Sequence, residues 1–329
     1  MTDLTVVDAT ADDAGELCQV IRRAFGARPT LDPPASAADV TEDEVRAALS
    51  AHGGLIARHG GRPVGGMLFD RPDRHVLALR RVSVDPGHQG HGVASAMVGC
   101  AEEAAEELGV DAVSLIARVE LPDTIEFWTR RGYALVDRDG PFLTYGKLLP
   151  LSRELVTADD TRAFGELLSA LLRPGDLVVL AGDLGAGKTT LTQGIGAGLG
   201  VRGSVTSPTF VIQRVHPPLD SGPPLVHVDA YRVGDAIELD DLDIDAAIEE
   251  SVTVVEWGVG IAEELSDQRL EVRLDRAAQA TGDVDPRVVT VRPHGARWFG
   301  VPLRSALTPQ SPNPQTPSPQ SPNPQAQSI

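Results

Sequence analysis

Residues 176–190 read Asp-Leu-Val-Val-Leu-Ala-Gly-Asp-Leu-Gly-Ala-Gly-Lys-Thr-Thr, and they decide the fold of the half of the chain that holds them. Asp176 to Ala181 is the short apolar run of a buried strand, and Thr189 to Leu199 can start a helix directly. Between them, Gly182-Asp183-Leu184-Gly185-Ala186-Gly187-Lys188-Thr189 is a complete G-x-x-x-x-G-K-[ST] phosphate-binding loop. Its glycines let the backbone curl so that several N–H groups point inward at a triphosphate, at the positive end of a new helix. Lys188 is then placed to reach the β- and γ-phosphates, and the Thr189 hydroxyl to bind magnesium. The chain has two lysines, and one of them sits here. A chance glycine-rich turn would need neither the strand before the motif nor the helix after it. The expectation is a nucleoside-triphosphate site.

Upstream of the loop, Thr157 is placed to cap a helix running to about Leu171, and Pro174-Gly175 lead into the strand. Downstream strands are expected at 225–228, 252–255, 270–274 and 288–291. Strands alternating with helical segments predict an α/β unit over 150–307, with a mostly parallel, doubly wound sheet. From Thr308 on, Pro, Gln, Ser, Asn and Thr dominate, and Ser-Pro-Asn-Pro-Gln occurs twice. Such a tail (308–329) has almost nothing to bury and is expected to be disordered.

Residues 1–149 predict a mixed α+β unit. Leu17, Val20, Ile21 and Ala24 give Thr10–Phe25 a helical spacing. Leu55–Phe69 reads as a hairpin turning at Gly60-Gly61, and Val76–Val84 as a further strand. Val93–Leu108 is an amphipathic helix ended by Gly109. A strand at 112–117, a short helix at 123–131 and a hairpin around Asp139-Gly140 follow.

At 329 residues the chain is long enough for two cores. No apolar stretch approaches a membrane span, and the N-terminus lacks the basic and apolar regions of a secretory signal. Cys18 and Cys100 stand far apart, which indicates neither a disulfide framework nor a metal knuckle. These features predict a cytoplasmic protein with no membrane association. The formal charge is −18, split −8 and −10 between residues 1–150 and 151–329. Such a surface repels phosphate backbones, so no DNA contact is expected and RNA would be reached only through a partner.

Three further stretches narrow the phosphate-loop class. Ser207-Pro-Thr-Phe210 follows the loop's helix, His227-Val-Asp-Ala-Tyr-Arg232 ends a strand, and Glu256-Trp257 follows another. Ligands of open parallel sheets sit at the carboxyl ends of strands, so Asp229 and Glu256 can face a triphosphate and its metal. In this order, and with His294-Gly-Ala-Arg-Trp298 closing it, residues 153–298 resemble the bacterial TsaE family, ATPases of tRNA threonylcarbamoyladenosine (t6A) synthesis.

The resemblance implies a P-loop NTPase that uses ATP and Mg²⁺. It also implies a threonylcarbamoyl-transferase partner of the TsaD and TsaB type, with tRNA met only indirectly. Carried over to this sequence, Lys188, Asp229 and Glu256 are catalytic, with Thr189 and Glu256 on the metal. Asp229 would organise the metal through its water shell, and Glu256 would contact it or orient the attacking water. The nucleotide is implied to touch residues 182–189, Thr190, Thr161 and Asp229, with Thr209 sensing the γ-phosphate.

The competing readings are ordinary ones. Asp229 and Glu256 would be exposed carboxylates, His227 structural, and Trp257 a core or partner-contact residue. Tyr231 and Arg232 read equally well as packing. Glu238–Asp245 lacks the spacing of a calcium loop and reads as a solvated turn. A small-molecule kinase remains an alternative, although no arginine-rich lid lies between Lys188 and Glu256.

In the N-terminal unit, Val82 to Ala94 carries Gln89-Gly90-His91-Gly92-Val93-Ala94, a Q-x-x-G-x-A match between a strand and a helix. With Leu121-Pro-Asp and Phe127-Trp-Thr-Arg-Arg-Gly-Tyr133, this resembles motifs A and B of the GNAT N-acetyltransferases. The resemblance implies acetyl-CoA bound by Val82, Val84, Gln89, Gly90, His91, Gly92, Val93 and Ala94. Trp128 stands where many members have a tyrosine that reprotonates the departing thiolate, and an indole N–H is no general acid. Tyr145 or water is the substitute. The alternative is a non-catalytic binding or regulatory module.

Overall fold

The computed structural model describes residues 3–34, 36–208, 212–232, 248–260, 262, 265–277 and 285–308. Thr209 and the acidic run 238–245 lie outside them, as does the tail beyond Thr308. Two seven-stranded sheets organise the chain.

The first contains β1 (Leu4–Asp8), β2 (Gly54–His59), β3 (Arg62–Asp73), β4 (Val76–Val84), β5 (Ala112–Arg118), β6 (Ala134–Asp139) and β7 (Phe142–Leu148). Their spatial order is β1-β2-β3-β4-β5-β7-β6, antiparallel throughout except for β4 and β5. Period-two alternation gives each face its own core. Leu55, Met67, Leu77 and Leu79 pack with α3 (Val93–Glu107), whereas Ile56 and Leu68 pack with α1 (Ala14–Gly26) and α2 (Glu42–His52). A short α4 (Pro122–Thr129) follows β5.

Two features of this sheet make an opening. The β4–β5 pairing stops at Leu79↔Leu115, so the strands part beyond it. In β4 the register against β3 then shifts, with Gly66 opposite Ser83 but Leu68 opposite Arg80. Two residues, Arg81 and Val82, therefore oppose one, which is a β-bulge, and Arg81 adopts φ +53°.

The second sheet contains β8 (Leu151–Leu155), β9 (Leu177–Ala181), β10 (Gln213–His216), β11 (Leu225–Asp229), β12 (Val252–Glu256), β13 (Arg269–Arg276) and β14 (Arg287–His294). The order is β10-β11-β12-β9-β13-β14-β8. The expectation of a mostly parallel sheet needs correction. Only the centre, β11-β12-β9-β13, is parallel, and β10, β14 and β8 are antiparallel additions at the two sides. The physical reason is connection length. The short link from β13 to β14 can only reverse the chain, since a parallel neighbour needs a crossover of roughly a dozen residues or more.

Helices α5 (Ala158–Ser169) and α6 (Lys188–Gly198) pack on this sheet and against each other. Thr157 caps α5 as expected, its hydroxyl accepting from Asp160 N–H at 3.0 Å while Asp160 accepts from Thr157 N–H at 2.8 Å. The two helices meet backbone to backbone. A Cβ on Gly194 would lie 2.1 Å from the Arg162 carbonyl oxygen, and one on Gly165 would lie 2.4 Å from that of Leu191.

The end of the described chain returns to the first sheet. After β14, Phe299 packs so closely on Gly146 of β7 that a Cβ there would stand 2.5 Å from its ring. At α7 (Leu303–Ala306), Arg304 N–H donates to Asp111 Oδ1 at 2.8 Å. Its guanidinium donates to the Val110 and Pro150 carbonyls at 2.8 and 2.6 Å. Among the described residues no helix is long and apolar enough to cross a membrane.

Candidate functional site

The phosphate-binding loop leaves the carboxyl end of β9, the strand flanked by parallel neighbours on both sides. Gly182 takes φ +136° and a Cβ there would strike the Leu274 carbonyl oxygen at 2.3 Å, so no other residue fits. Gly187, at φ +106°, occupies the N-cap of α6, and Gly185 also lies at positive φ. Asp183 and Leu184 are exposed at the loop's outer edge, and Ala186 is buried beneath it.

Lys188 is buried and folds back over its own loop. Its ammonium donates to the Gly182 and Asp183 carbonyls at 2.8 and 3.0 Å. It also lies 3.7 Å from the centroid of the Trp257 ring, a cation–π contact. Burial pulls the Lys188 pKa down, and the charges of Glu256, Asp229 and Asp183 oppose that shift.

The carboxylates meet because of strand register. Asp229 and Glu256 are paired residues at the ends of the adjacent parallel strands β11 and β12. Both are buried, which sets aside the reading of them as exposed strand-end charges. The Thr189 hydroxyl donates to Glu256 Oε1 at 3.0 Å, and His227 Nε2 lies 2.9 Å from the same oxygen. Asp229 accepts from the Ser207 hydroxyl at 3.2 Å and from Tyr231 N–H at 3.1 Å. Trp257 holds φ +63°, with its N–H donating to the Leu180 carbonyl at 3.1 Å, and its ring meets Tyr231 edge-on.

Of the remaining expected contacts, Thr190 lies in the first turn of α6. Thr161 is buried with its methyl beside Gly187, while its hydroxyl turns back to the Thr157 carbonyl at 3.2 Å. Sequence reasoning missed Arg287 of β14, which donates to the Ala186 carbonyl at 3.2 Å and braces the loop from across the sheet. His227, read as a structural residue next to the site, is buried against Glu256.

These residues fit the expected ligand set. Among the described residues no group of three His, Cys, Asp or Glu side chains forms a metal cage. Magnesium needs none, since it keeps several waters and takes one or two protein oxygens plus phosphates. The Thr189 hydroxyl and the Glu256 carboxylate are such a pair.

In the first sheet, the gap between β4 and β5 opens into a cavity of about 1530 Å³. Val82, Val84, Gln89, Gly90, Gly92, Val93 and Ala94 line it. His91 is exposed and turns its Nδ1 to the Gln89 carbonyl at 2.8 Å, off the lining. Gly90 and Gly92 take φ +76° and +81°, which presents the start of α3 to the cavity. Trp128 is buried edge-on between Phe127 and Tyr133. Neither Tyr145, buried in the core, nor Tyr133 lines the cavity. Tyr145, the side chain considered above as a substitute acid, is therefore not presented to the cavity.

A phosphate-binding loop at the end of a central parallel strand, with two buried carboxylates beside it, places the C-terminal unit in the phosphate-loop class of α/β proteins. Residues 155–284 match the family of threonylcarbamoyl adenosine biosynthesis protein TsaE, and residues 18–133 match the acetyltransferase (GNAT) family. The chain is 61% identical over 138 residues to the tRNA threonylcarbamoyladenosine biosynthesis protein TsaE of Streptomyces coelicolor, covering 42% of this chain and 93% of that protein. Against TsaE of Mycobacterium tuberculosis it is 47% identical over 143 residues, covering 41% and 83%. The solved structure of Bacillus subtilis YdiB is 34% identical, with a TM-score of 0.38, and covers 48% of this chain and 94% of that one. The chain belongs to the TsaE family through its C-terminal domain, which is fused to an N-terminal GNAT-family domain.

Proposed function

We propose that the C-terminal domain hydrolyses ATP in the cytoplasmic biosynthesis of threonylcarbamoyladenosine in tRNA. Hydrolysis is coupled to turnover of a partner threonylcarbamoyl-transferase complex of the TsaD and TsaB type. The N-terminal domain takes acetyl-CoA and acetylates an amine. The observation that carries the ATPase reading is the convergence of Lys188, Thr189, Asp229 and Glu256 around one loop from three separate parts of the sequence.

Bound Mg-ATP supplies the transferable phosphoryl group and the cation that offsets its charge. Lys188 exchanges its two loop carbonyls for phosphate oxygens. Thr189 and Glu256 offer the metal a hydroxyl and a carboxylate already in contact. Asp229, held by Ser207 and Tyr231 N–H, would help to hold the hydrated metal as a hydrogen-bond acceptor. Arg287 and the glycine conformations keep the loop shaped for the nucleotide, so little reorganisation is required of it.

The test is ATP hydrolysis by the full chain, alone and with the transferase pair from the same organism. Slow basal turnover that rises with the pair, and modified adenosine accumulating over many cycles, is the expected result. Hydrolysis indifferent to the pair would move the domain towards a kinase or an unrelated switch ATPase.

A second reading applies to the N-terminal domain, in which it binds acyl-CoA without transfer. What favours it is that none of the chain's three tyrosines and neither cysteine lines the cavity. Acetyl-CoA turnover with a panel of amines separates the two readings.

A further inference from the structure

The cavity of the N-terminal domain is lined from both faces of its sheet. Gly90, Val93 and Trp128 belong to the α3 side, while Phe25, Arg28 and His52 belong to the α1/α2 side. The residues expected to hold the acyl donor surround the start of α3. The opposite mouth is therefore open to the acceptor.

Two arginines at that mouth stand out by what they lack. Of the other guanidiniums on the lining, Arg80, Arg118 and Arg130 pair with Asp70, Glu120 and Glu126, while Arg131, without a carboxylate, donates to the Phe127 carbonyl at 2.9 Å and to the Ser95 hydroxyl. Arg28 stacks on Phe25, 3.7 Å from the ring centroid, and reaches only the Val82 carbonyl, at 3.4 Å. Arg81 is the next residue back along the bulge, and its Nη1 is buried with no hydrogen-bond partner. Glu44 is near enough to feel the Arg81 charge, but its carboxylate caps α2 by accepting from Thr41 N–H at 2.8 Å. Among the described residues neither arginine makes an ion pair, in a chain with 47 acidic residues against 29 basic ones. A half-buried guanidinium without a carboxylate, in so acidic a protein, is held for a partner that arrives from outside. Burial pushes the Arg28 pKa down.

We propose that the acyl acceptor is an amine carrying an anionic oxygen group, a carboxylate or a phosphate, which Arg28 and Arg81 bind on the α1/α2 side of the cavity. This rests on the acetyl-transfer reading and names its substrate class. In the transfer, the amine nitrogen bonds to the acetyl carbon, the thioester C–S bond breaks, and the amine proton ends on the released thiol. The arginines do not react; they fix which amine reaches the bulge.

The test is calorimetric binding to the full chain saturated with coenzyme A. The probes are N-acetylglycine, N-acetylethanolamine phosphate and the neutral N-acetylglycinamide. At least one anionic probe should bind tenfold or more tighter than the neutral one, and which of the two does so distinguishes carboxylate from phosphate. Arg28→Gln and Arg81→Gln should each remove most of that preference while leaving coenzyme A affinity within twofold. Arg81→Lys should restore part of it, which a purely structural role would not give.

Equal binding of anionic and neutral probes by a protein that holds coenzyme A normally would overturn the proposal. So would a tenfold loss of coenzyme A affinity in both variants, which would assign the arginines to the donor's phosphates. Failure of wild type to bind coenzyme A at all would remove the acetyl-transfer reading itself, and the acceptor with it.

Discussion

Glu256 shows how one buried side chain links three elements. It closes β12, takes the Thr189 hydroxyl of α6 and meets His227 of β11. Glu256→Gln keeps the shape and removes the charge, so nucleotide binding should persist while kcat falls by roughly 10²–10³. Unchanged turnover would take Glu256 out of the reaction. His227→Asn shortens the side chain and removes the contact that orients Glu256, and kcat is expected to fall about tenfold with KM for ATP nearly constant. An equal rise in KM would mean that His227 supports binding instead. Lys188→Ala should abolish ATP binding or hydrolysis and leave coenzyme A affinity intact. At this scale the phosphate loop was legible, because its geometry is dictated by neighbours in sequence. The roles of Arg287 and His227 were not, since their partners lie 101 and 29 residues away and no local pattern encodes such contacts.

The elements explain why the loop is rigid. Helix α6 is pressed onto α5 through glycines, so Gly194→Ala must push the helices apart. Overpacking of this kind costs about 1–3 kcal/mol, readable by urea denaturation, and ATP affinity should drop with it while coenzyme A affinity does not. Thr157→Ala should cost about 1 kcal/mol by removing the α5 cap. That cap is pH-dependent. Thr157 N–H, and then its hydroxyl, hold the Asp160 carboxyl below its usual range. A depressed carboxylate stabilises the fold above its unfolded pKa, near 4, and the contribution is lost as pH falls through the folded value. The stability gap between wild type and Thr157→Ala should therefore narrow below about pH 4. Most interior strands were readable from their apolar runs. The reading missed β1, α2, β8 and β10, each with much of its surface exposed. Leu151 and Leu155 alone of β8 are buried, and only Val45 and Leu49 of α2.

Across the whole molecule, the segment after β14 ties the two sheets together through Phe299 and Arg304. Arg304→Ala keeps the backbone bond to Asp111 but should release Val110 and Pro150 and let the domains unfold separately. Scanning calorimetry should then show two resolved transitions where wild type shows closer ones, and identical traces would mean the contact carries no coupling. By itself the sequence determined the phosphate loop, the strand and helix around it, the Q-x-x-G-x-A turn and the two-part organisation. Each of these is a short-range pattern, set by backbone conformations that few residues can adopt or by the periodicity of burial. Tertiary structure alone decided the antiparallel flanks of the second sheet, the pairing of Asp229 with Glu256 and the through-sheet cavity with Arg28 and Arg81 on its lining. Those depend on strand register and on where β4 and β5 part, which are settled by packing between residues far apart in the chain.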